Sequence, residues 1–462
     1  MNDHPTNCRD CNQTEIIRRA VAEAGRGLPG IEAGMPLPAG TGLSRRDFVS
    51  RTAGLALGVY GGGLLSSAAF DYGIGAAAAT TPAKNVLVVV YLSGGIDGLS
   101  VLFPAGDPKY YSLRPNIALG ATAGLQFTQD SRLRWNPTTS GLATLHGEGK
   151  INVIPAIGYF DNDESHFTSR HYWEVGATDA TLRTGWLGRY LDKVGTTDNP
   201  LQGLSLDTAL QPALATAKMP VATLQAADQY TFAPPGLPAH PLEASMFQEA
   251  ANIGAALAAS QDSGLSTAGA TALESHHLYS ELGNFKYGFA SPVPYPGSTD
   301  PFPHRLAGLA AMIAAGLPLN VVTITSPGHF DTHATQTSTL NSGMQLTSDS
   351  LLSFQRDLES RGVADRVMIY VWSEFGRRAQ ENASAGTDHG SGGIGFLIGT
   401  RVNGQMVGAF PGITGGLNDL GNLQPTADYR AVYSSILEQW LGTDANAILP
   451  GVSGYQRPAL LE

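Results

Sequence analysis

The chain has 462 residues, 42% of them hydrophobic and 15% charged, with a net charge of −11. That length holds one large domain or two ordinary ones. The acidic balance, with no basic stripe interleaved with aromatics, excludes a nucleic-acid partner. Glycine (56) and proline (28) are frequent, which suits a loop-rich secreted enzyme better than a helical bundle.

Near the N-terminus, Ser44-Arg45-Arg46-Asp47-Phe48-Val49 is a twin-arginine motif, and residues 52–70 behind it are apolar but glycine-rich. This is the layout of a Tat export signal. The repeated glycines weaken the alternative, a membrane-spanning helix. Residues 1–79 are therefore expected to be a signal region engaged by the Tat translocase, and 80–462 the mature, periplasmic or secreted domain. No later run is apolar for the ~20 residues that a membrane span needs. Cys8 and Cys11 form a C-x-x-C upstream of the twin arginines. Once the signal is removed, any metal must be held by oxygen and nitrogen.

Residues 84–92 (KNVLVVVYL) and 151–158 (INVIPAIG) read as buried strands. The first ends in Gly94-Gly95-Ile96-Asp97-Gly98, where Asp97 is either a turn former or a metal carboxylate. The second leads into residues 161–173 (DNDESHFTSRHYW), where Asp161 or Ser165 can cap a helix. Ser165 there is placed as a metal-activated nucleophile, with His166 as its alternative. Arg170 can fork onto an anionic oxygen pair. Residues 200–303 are rich in Ala, Ser, Gln and Pro and predict an inserted covering region, helical around 242–259 and irregular around 291–303.

The next stretches alternate: helix 303–316, strand 320–325, helix 348–362, strand 366–372. The strand at 320–325 runs into Gly328-His329-Phe330-Asp331-Thr332-His333, where Asp331 and His333 can share a metal and His329 is a third candidate. The strand at 366–372 runs into Ser373-Glu374-Phe375-Gly376-Arg377. Glu374 and Arg377 are either site residues, the arginine reaching a bound anion, or a structural ion pair. His389, flanked by Gly386 and Gly390, precedes the apolar run 394–399. A last helix at 428–441 puts Tyr429, Val432, Tyr433, Ile436 and Trp440 on one face, as core. The pattern predicts an α/β fold, a mostly parallel central sheet flanked by helices, with functional groups gathered at the strand ends. Asp97, Asp331, His333, Glu374 and His389 would there hold a divalent metal ion: zinc, manganese or calcium. No G-x-S-x-G elbow, P-loop or H-E-x-x-H is present.

The stretches SRRDF, LSGGIDGLSVLFPAGDPKYYSLRP, ESHFTSRHYWEVG, TGWLGRYLD, GHFDTHATQ, WSEFGRRAQENASAGTDHG and DYRAVYSSILEQWLG are scattered from about Arg45 to Leu441. They resemble a family of Tat-exported bacterial proteins, domain-of-unknown-function 1501, which looks like a branch of the alkaline phosphatase superfamily. The resemblance implies an alkaline-phosphatase-like fold with one or two divalent metals at the strand ends. It implies an exported hydrolase of phosphate or sulfate esters. On the matching positions, Asp97, Asp331, His333 and His389 stand for metal residues and Ser165 for the nucleophile. Glu374 stands where an Asp-His pair is usual, and Phe375 replaces the histidine. That departure leaves the second metal, and catalysis itself, open. The competing reading is a non-catalytic metal-binding or envelope-associated protein that keeps the fold. A Cys/Ser-x-Pro-x-Arg context for formylglycine is absent, which disfavours a standard sulfatase.

Overall fold

Alternation along the first strand, β1 (Val86–Tyr91), sets up three layers: Val86, Val88 and Val90 enter one hydrophobic core, and Leu87, Val89 and Tyr91 enter another. The structure, a computed structural model, describes residues 85–229, 243–285 and 288–462. The twin-arginine segment and both cysteines lie outside the described residues.

The central sheet continues with β2 (Ile151–Gly158), β3 (Gly203–Ser205), β4 (Ala222–Thr223), β5 (Val321–Thr325), β6 (Val367–Trp372), β7 (Gly393–Ile398) and β8 (Ala427–Asp428). Their spatial order is β8-β2-β7-β6-β1-β5-β3-β4. Every neighbouring pair is parallel except the two made by β7, which runs antiparallel to β2 and β6. The apolar run at 394–399 is thus a strand of reversed direction. No crossover helix precedes it, only a short antiparallel ribbon (Arg377–Glu381 with Thr387–His389), and a parallel return needs a long crossover. The reversal brings the residues leading into β7 to the edge where β1, β2, β5 and β6 end.

The helices are α1 (Pro108–Leu113), α2 (Ser140–Gly147), α3 (His166–Val175), α4 (Trp186–Val194), α5 (Glu243–Ala258), α6 (Ser263–Glu281), α7 (Phe302–Ala314), α8 (Gln336–Ser360) and α9 (Tyr429–Ser435). Leu306, Leu309 and Ile313 of α7 and Leu351, Phe354 and Leu358 of α8 pack on one face of the sheet. Truncating one such buried leucine to alanine costs about 2–5 kcal/mol. Trp173 of α3, Trp186 of α4 and Tyr429 and Tyr433 of α9 pack on the other face. Trp173 stacks on Trp372 at 5.4 Å and on Tyr429 at 4.5 Å, so the aromatic stripe of the last helix is core.

Two boundaries differ from the sequence reading. α8 starts at Gln336 and not near 348, because Leu340 and Met344 bury a face that its many polar residues conceal. β3 and β4 pair into the sheet beside β5, so residues 203–223 of the expected insertion contribute strands to the central sheet. Within that region α5 and α6 form a hairpin, close-packed where Gly254 meets Gly269. Among the described residues no helix is long and apolar enough to cross a membrane.

Candidate metal centre

The turn after β1 lets three loops meet. Gly94 and Gly95 have φ of 115° and 72°, and a Cβ on Gly94 would stand 2.3 Å from the Asp331 amide nitrogen. Only glycine permits that approach. The Gly94 N–H donates to both Glu374 oxygens, at 3.0 and 3.2 Å. Across the edge, Ser165 caps α3 by accepting the Thr168 N–H. His166 is the first helical residue, and its side chain tilts back beyond the helix N-terminus. The residue before the cap, Glu164, holds φ 58°, an unusual conformation for a side-chain-bearing residue.

His166, Asp331 and His389 each offer one ligand atom, all within 4.8 Å of one another. The centre is Asp331 Oδ1. It lies 3.5 Å from His166 Nε2, 3.0 Å from His333 Nε2 and 3.4 Å from His389 Nε2. His333 Nε2 and His389 Nε2 are themselves 3.0 Å apart. Donors around a tetrahedral zinc, at about 2.0–2.1 Å from it, stand about 3.3 Å from one another. Phe375 walls the group on its apolar side, its ring 4.7 Å from that of His166 and 4.8 Å from that of His389.

The hydrogen-bond partners fix the ring tautomers. His389 Nδ1 is 2.8 Å from the Glu164 carbonyl oxygen, an acceptor only, so Nδ1 carries the hydrogen. Burial, aided by the charges of Arg377 and His166 against the pull of Asp331, brings His389 down to a pKa of about 4. It is neutral at pH 7, and its Nε2 lone pair faces inward. His333 Nδ1 faces Asp388 Oδ1 at 3.3 Å, which turns its Nε2 inward as well. His166 Nδ1 is 2.9 Å from Glu374 Oε1, while its buried Nε2 makes no hydrogen bond and points at Asp331. Lone pairs converging at these distances repel unless a cation lies among them. Protons are one way to supply it. Burial opposes a charge on His166, but Asp331 and Glu374 outweigh it and raise that imidazole to about 9. Asp331 itself is held far below the ordinary carboxylate range: burial opposes this, and its three histidines and Arg377 prevail.

Of the metal residues read from sequence, Asp331, His333 and His389 come together. Asp97 does not join them. Its carboxylate accepts from both Arg114 Nη atoms (2.5 and 3.0 Å), Ser100 Oγ (2.6 Å) and Gln336 Nε2 (2.6 Å), so its oxygens are taken by protein donors. Glu374 stands behind His166, holding the ring in place of touching the group directly. Burial alone would raise the Glu374 pKa, but His166 brings it to about 2. His329 is exposed and accepts the Asp331 N–H through Nδ1 at 3.3 Å.

The other candidates are also placed. The Ser165 oxygen caps α3 immediately before His166. Arg170 donates to Glu174 (2.8 Å) and Gln211 (3.0 Å) and lies over the Tyr91 ring. Arg377 is fully buried and donates to the carbonyls of Gly94, Gly95, Phe330 and Thr387, to Asp331 Oδ1 (2.6 Å) and to His333 Nε2 (3.4 Å). Its N–H groups are spent on protein acceptors, so it is a fixed cation in the wall and not a clamp for a ligand. The sequence reading missed His166 as a ligand-type residue and weighed it only in place of Ser165. The usable signal was its position directly after a capping serine at the end of a buried strand.

The sequence matches the family described as "Protein of unknown function (DUF1501)" over residues 160–452. The chain belongs to the DUF1501 family. The matched span contains His166, Asp331, His333, Glu374, Arg377 and His389, so the whole group lies within the DUF1501 region. A search of curated proteins finds no match. Among solved structures, similar ones include the C-terminal periplasmic domain of EcEptC from Escherichia coli in complex with Zn (9% identity, 83% of this chain and 93% of that one, TM-score 0.36). Others are a protein in the alkaline phosphatase superfamily from Vibrio parahaemolyticus (10%, 80% and 68%, TM-score 0.32) and the PsFucS1 sulfatase from Pseudoalteromonas sp. (13%, 82% and 74%, TM-score 0.31). At such scores the likeness carries no weight for the chemistry of the DUF1501 site.

Proposed function

We propose that the chain is an exported, metal-dependent hydrolase of a phosphate or sulfate ester. The observation that supports this most is the set of inward-facing donors around Asp331 Oδ1: unprotonated His389 Nε2, unbonded His166 Nε2, and His333 Nε2. His166, Asp331, His333 and His389 would hold the ion. Three imidazoles and one carboxylate suit zinc, with manganese second, whereas calcium takes six to eight oxygen ligands. When bound, such an ion polarises an ester oxygen and lowers the pKa of an attacking oxygen.

The chain's own residues divide the remaining work. Glu374 fixes the His166 ring, as carboxylates behind metal-binding imidazoles do. Ser165 is the proposed nucleophile: its oxygen accepts from Thr168, so its own proton is available to a base, and the helix N-terminus favours negative charge there. Arg170, one turn beyond His166, is the proposed anion contact. Arg377 supplies a permanent charge beside Asp331. Asp331, Glu374 and Asp388 with Arg377 sum to two negative charges, which one divalent ion balances. A second ion would leave an uncompensated excess in a largely buried site.

A second reading is favoured by the capping role of Ser165 and the saturated Arg377: a metal-binding protein that turns nothing over. Metal analysis of the purified protein, with a screen of aryl phosphate mono- and diesters and aryl sulfates, separates the two. The hydrolase reading expects turnover that a chelator abolishes and zinc restores. Full metal occupancy without turnover of any ester establishes the binding reading.

A further inference from the structure

We infer that Gln336 is the positioning residue that sets the spacing of the metal-binding side chains, an inference resting on the metal reading of the site. Gln336 opens α8 and is 1% exposed. Its Oε1 accepts from two hydroxyls, Thr332 Oγ1 at 3.0 Å and Thr387 Oγ1 at 2.6 Å. Thr332 lies between Asp331 and His333 in sequence. Thr387 is two residues before His389, on the second strand of the antiparallel ribbon. One amide oxygen therefore ties together the two segments that supply Asp331, His333 and His389. The Thr387 N–H also donates to the Thr332 carbonyl at 3.1 Å, so the two segments are joined by backbone beside the amide.

The other end of the amide shows why a glutamine stands here. Gln336 Nε2 donates to Asp97 Oδ2 at 2.6 Å and to Ser100 Oγ at 3.1 Å, filling all four of its hydrogen-bonding places. An ionised carboxylate accepts and never donates, so the amide cannot flip: its carbonyl oxygen would then face Asp97. Arg114 pairs with both Asp97 oxygens. The order of parts is Arg114, Asp97, Gln336, the two threonines, then the donors. This gives Asp97 a part in the site without contact to a metal: it sets which end of Gln336 faces the threonines. Thr387 closes the loop, because its carbonyl accepts from Arg377 Nη1 at 2.8 Å. Buried networks that are fully satisfied in this way fix one arrangement of the side chains they support.

The test titrates metal-free full-length protein with Co²⁺, read by its visible absorption and by a competing chelator. Gln336→Met is compared with Gln202→Leu, a buried glutamine at the opposite edge of the sheet that donates to the Thr196 and Pro220 carbonyls. Gln336→Met is expected to weaken Co²⁺ binding roughly 10–100-fold and to alter the absorption spectrum. Gln202→Leu should lose stability while its Co²⁺ affinity and spectrum stay unchanged. If the single variant does not fold, Gln336→Met with Thr332→Val and Thr387→Val also removes the two stranded hydroxyls, while Asp97 keeps Arg114 and Ser100 as donors. That triple variant should fold and still bind Co²⁺ weakly. Wild-type affinity and spectrum in either Gln336 variant overturn the positioning role alone. A wild-type protein that binds no Co²⁺ overturns the metal reading and this role with it.

Discussion

Glu374 holds His166 from behind: Oε1 lies 2.9 Å from Nδ1, so the hydrogen on that nitrogen faces away from the site and Nε2 faces into it. The carboxylate is itself held by the Gly94 N–H and Ser373 Oγ. The turn after β1 and the turn after β6 therefore act together on one imidazole of α3.

Glu374→Gln should keep the fold and lower metal affinity. The amide NH₂ replaces an acceptor where Gly94, Ser373 and His166 all offer hydrogens, which costs about 1–3 kcal/mol for the group left unsatisfied. The loss of charge behind His166 should weaken metal binding roughly 10–100-fold. Calorimetric titration with zinc measures it. Unchanged affinity would show that His166 needs no carboxylate to serve the site.

Asp97 makes a pH-dependent contribution to stability. Burial alone would raise its pKa, but the charge and hydrogen bonds of Arg114, with Ser100 and Gln336, hold it below the ordinary value. A depressed folded-state pKa contributes stability that is fully present above the unfolded value of about 3.9 and is lost as pH falls through the folded one. Asp97→Asn leaves the buried Arg114 charge unpaired and should cost about 3–5 kcal/mol at neutral pH. Urea unfolding of both proteins across the acid range should show that gap narrowing below about pH 4. A gap that stays constant through acid would rule out the ion pair as its source.

These two carboxylates also show how far the sequence could be read. The strands β1, β2, β5 and β6 are continuous Val- and Ile-rich runs, and their shortness and β-branched content mark them as buried strands. Periodicity carries no direction, so the reversal of β7 was not legible. Asp97 in a glycine turn has the same local sequence whether it meets a metal or Arg114, and only the packing of α1's C-terminal end settles which. Glu374 and His166 are 208 residues apart in sequence, and which of them faces the group depends on where α3 begins. Gln336 was invisible because its site role arises from two threonines brought together by the fold.

One divalent ion per chain is expected, because Arg377 already stands as a fixed cation 2.6 Å from Asp331 Oδ1. Native mass spectrometry of zinc-loaded protein should show a single tightly held ion. Two ions of similar affinity would contradict the charge balance proposed above.

The twin arginines predict export by the Tat route. Replacing Arg45 and Arg46 together by lysine should hold the protein in the cytoplasm, as cell fractionation would show. Equal periplasmic yield from the double variant rules out this route.

Ser165 carries the most exposed part of the functional reading, because its oxygen already has a structural task. As the N-cap of α3 it accepts from Thr168 N–H at 3.4 Å, a long contact that leaves room for a second role. Ser165→Ala removes both tasks at once: loss of the cap should cost about 0.5–2 kcal/mol, and loss of the hydroxyl should abolish ester hydrolysis if the serine attacks. Ser165→Asp restores a capping oxygen but offers no hydroxyl proton to transfer. Stability regained in Ser165→Asp with hydrolysis still absent, and metal content equal in all three proteins, is the result expected of a nucleophile. Hydrolysis that persists in Ser165→Ala moves the attack to another group, with a metal-activated water as the first alternative. No hydrolysis in the wild type, with metal fully bound, leaves Ser165 a cap and the protein a binder.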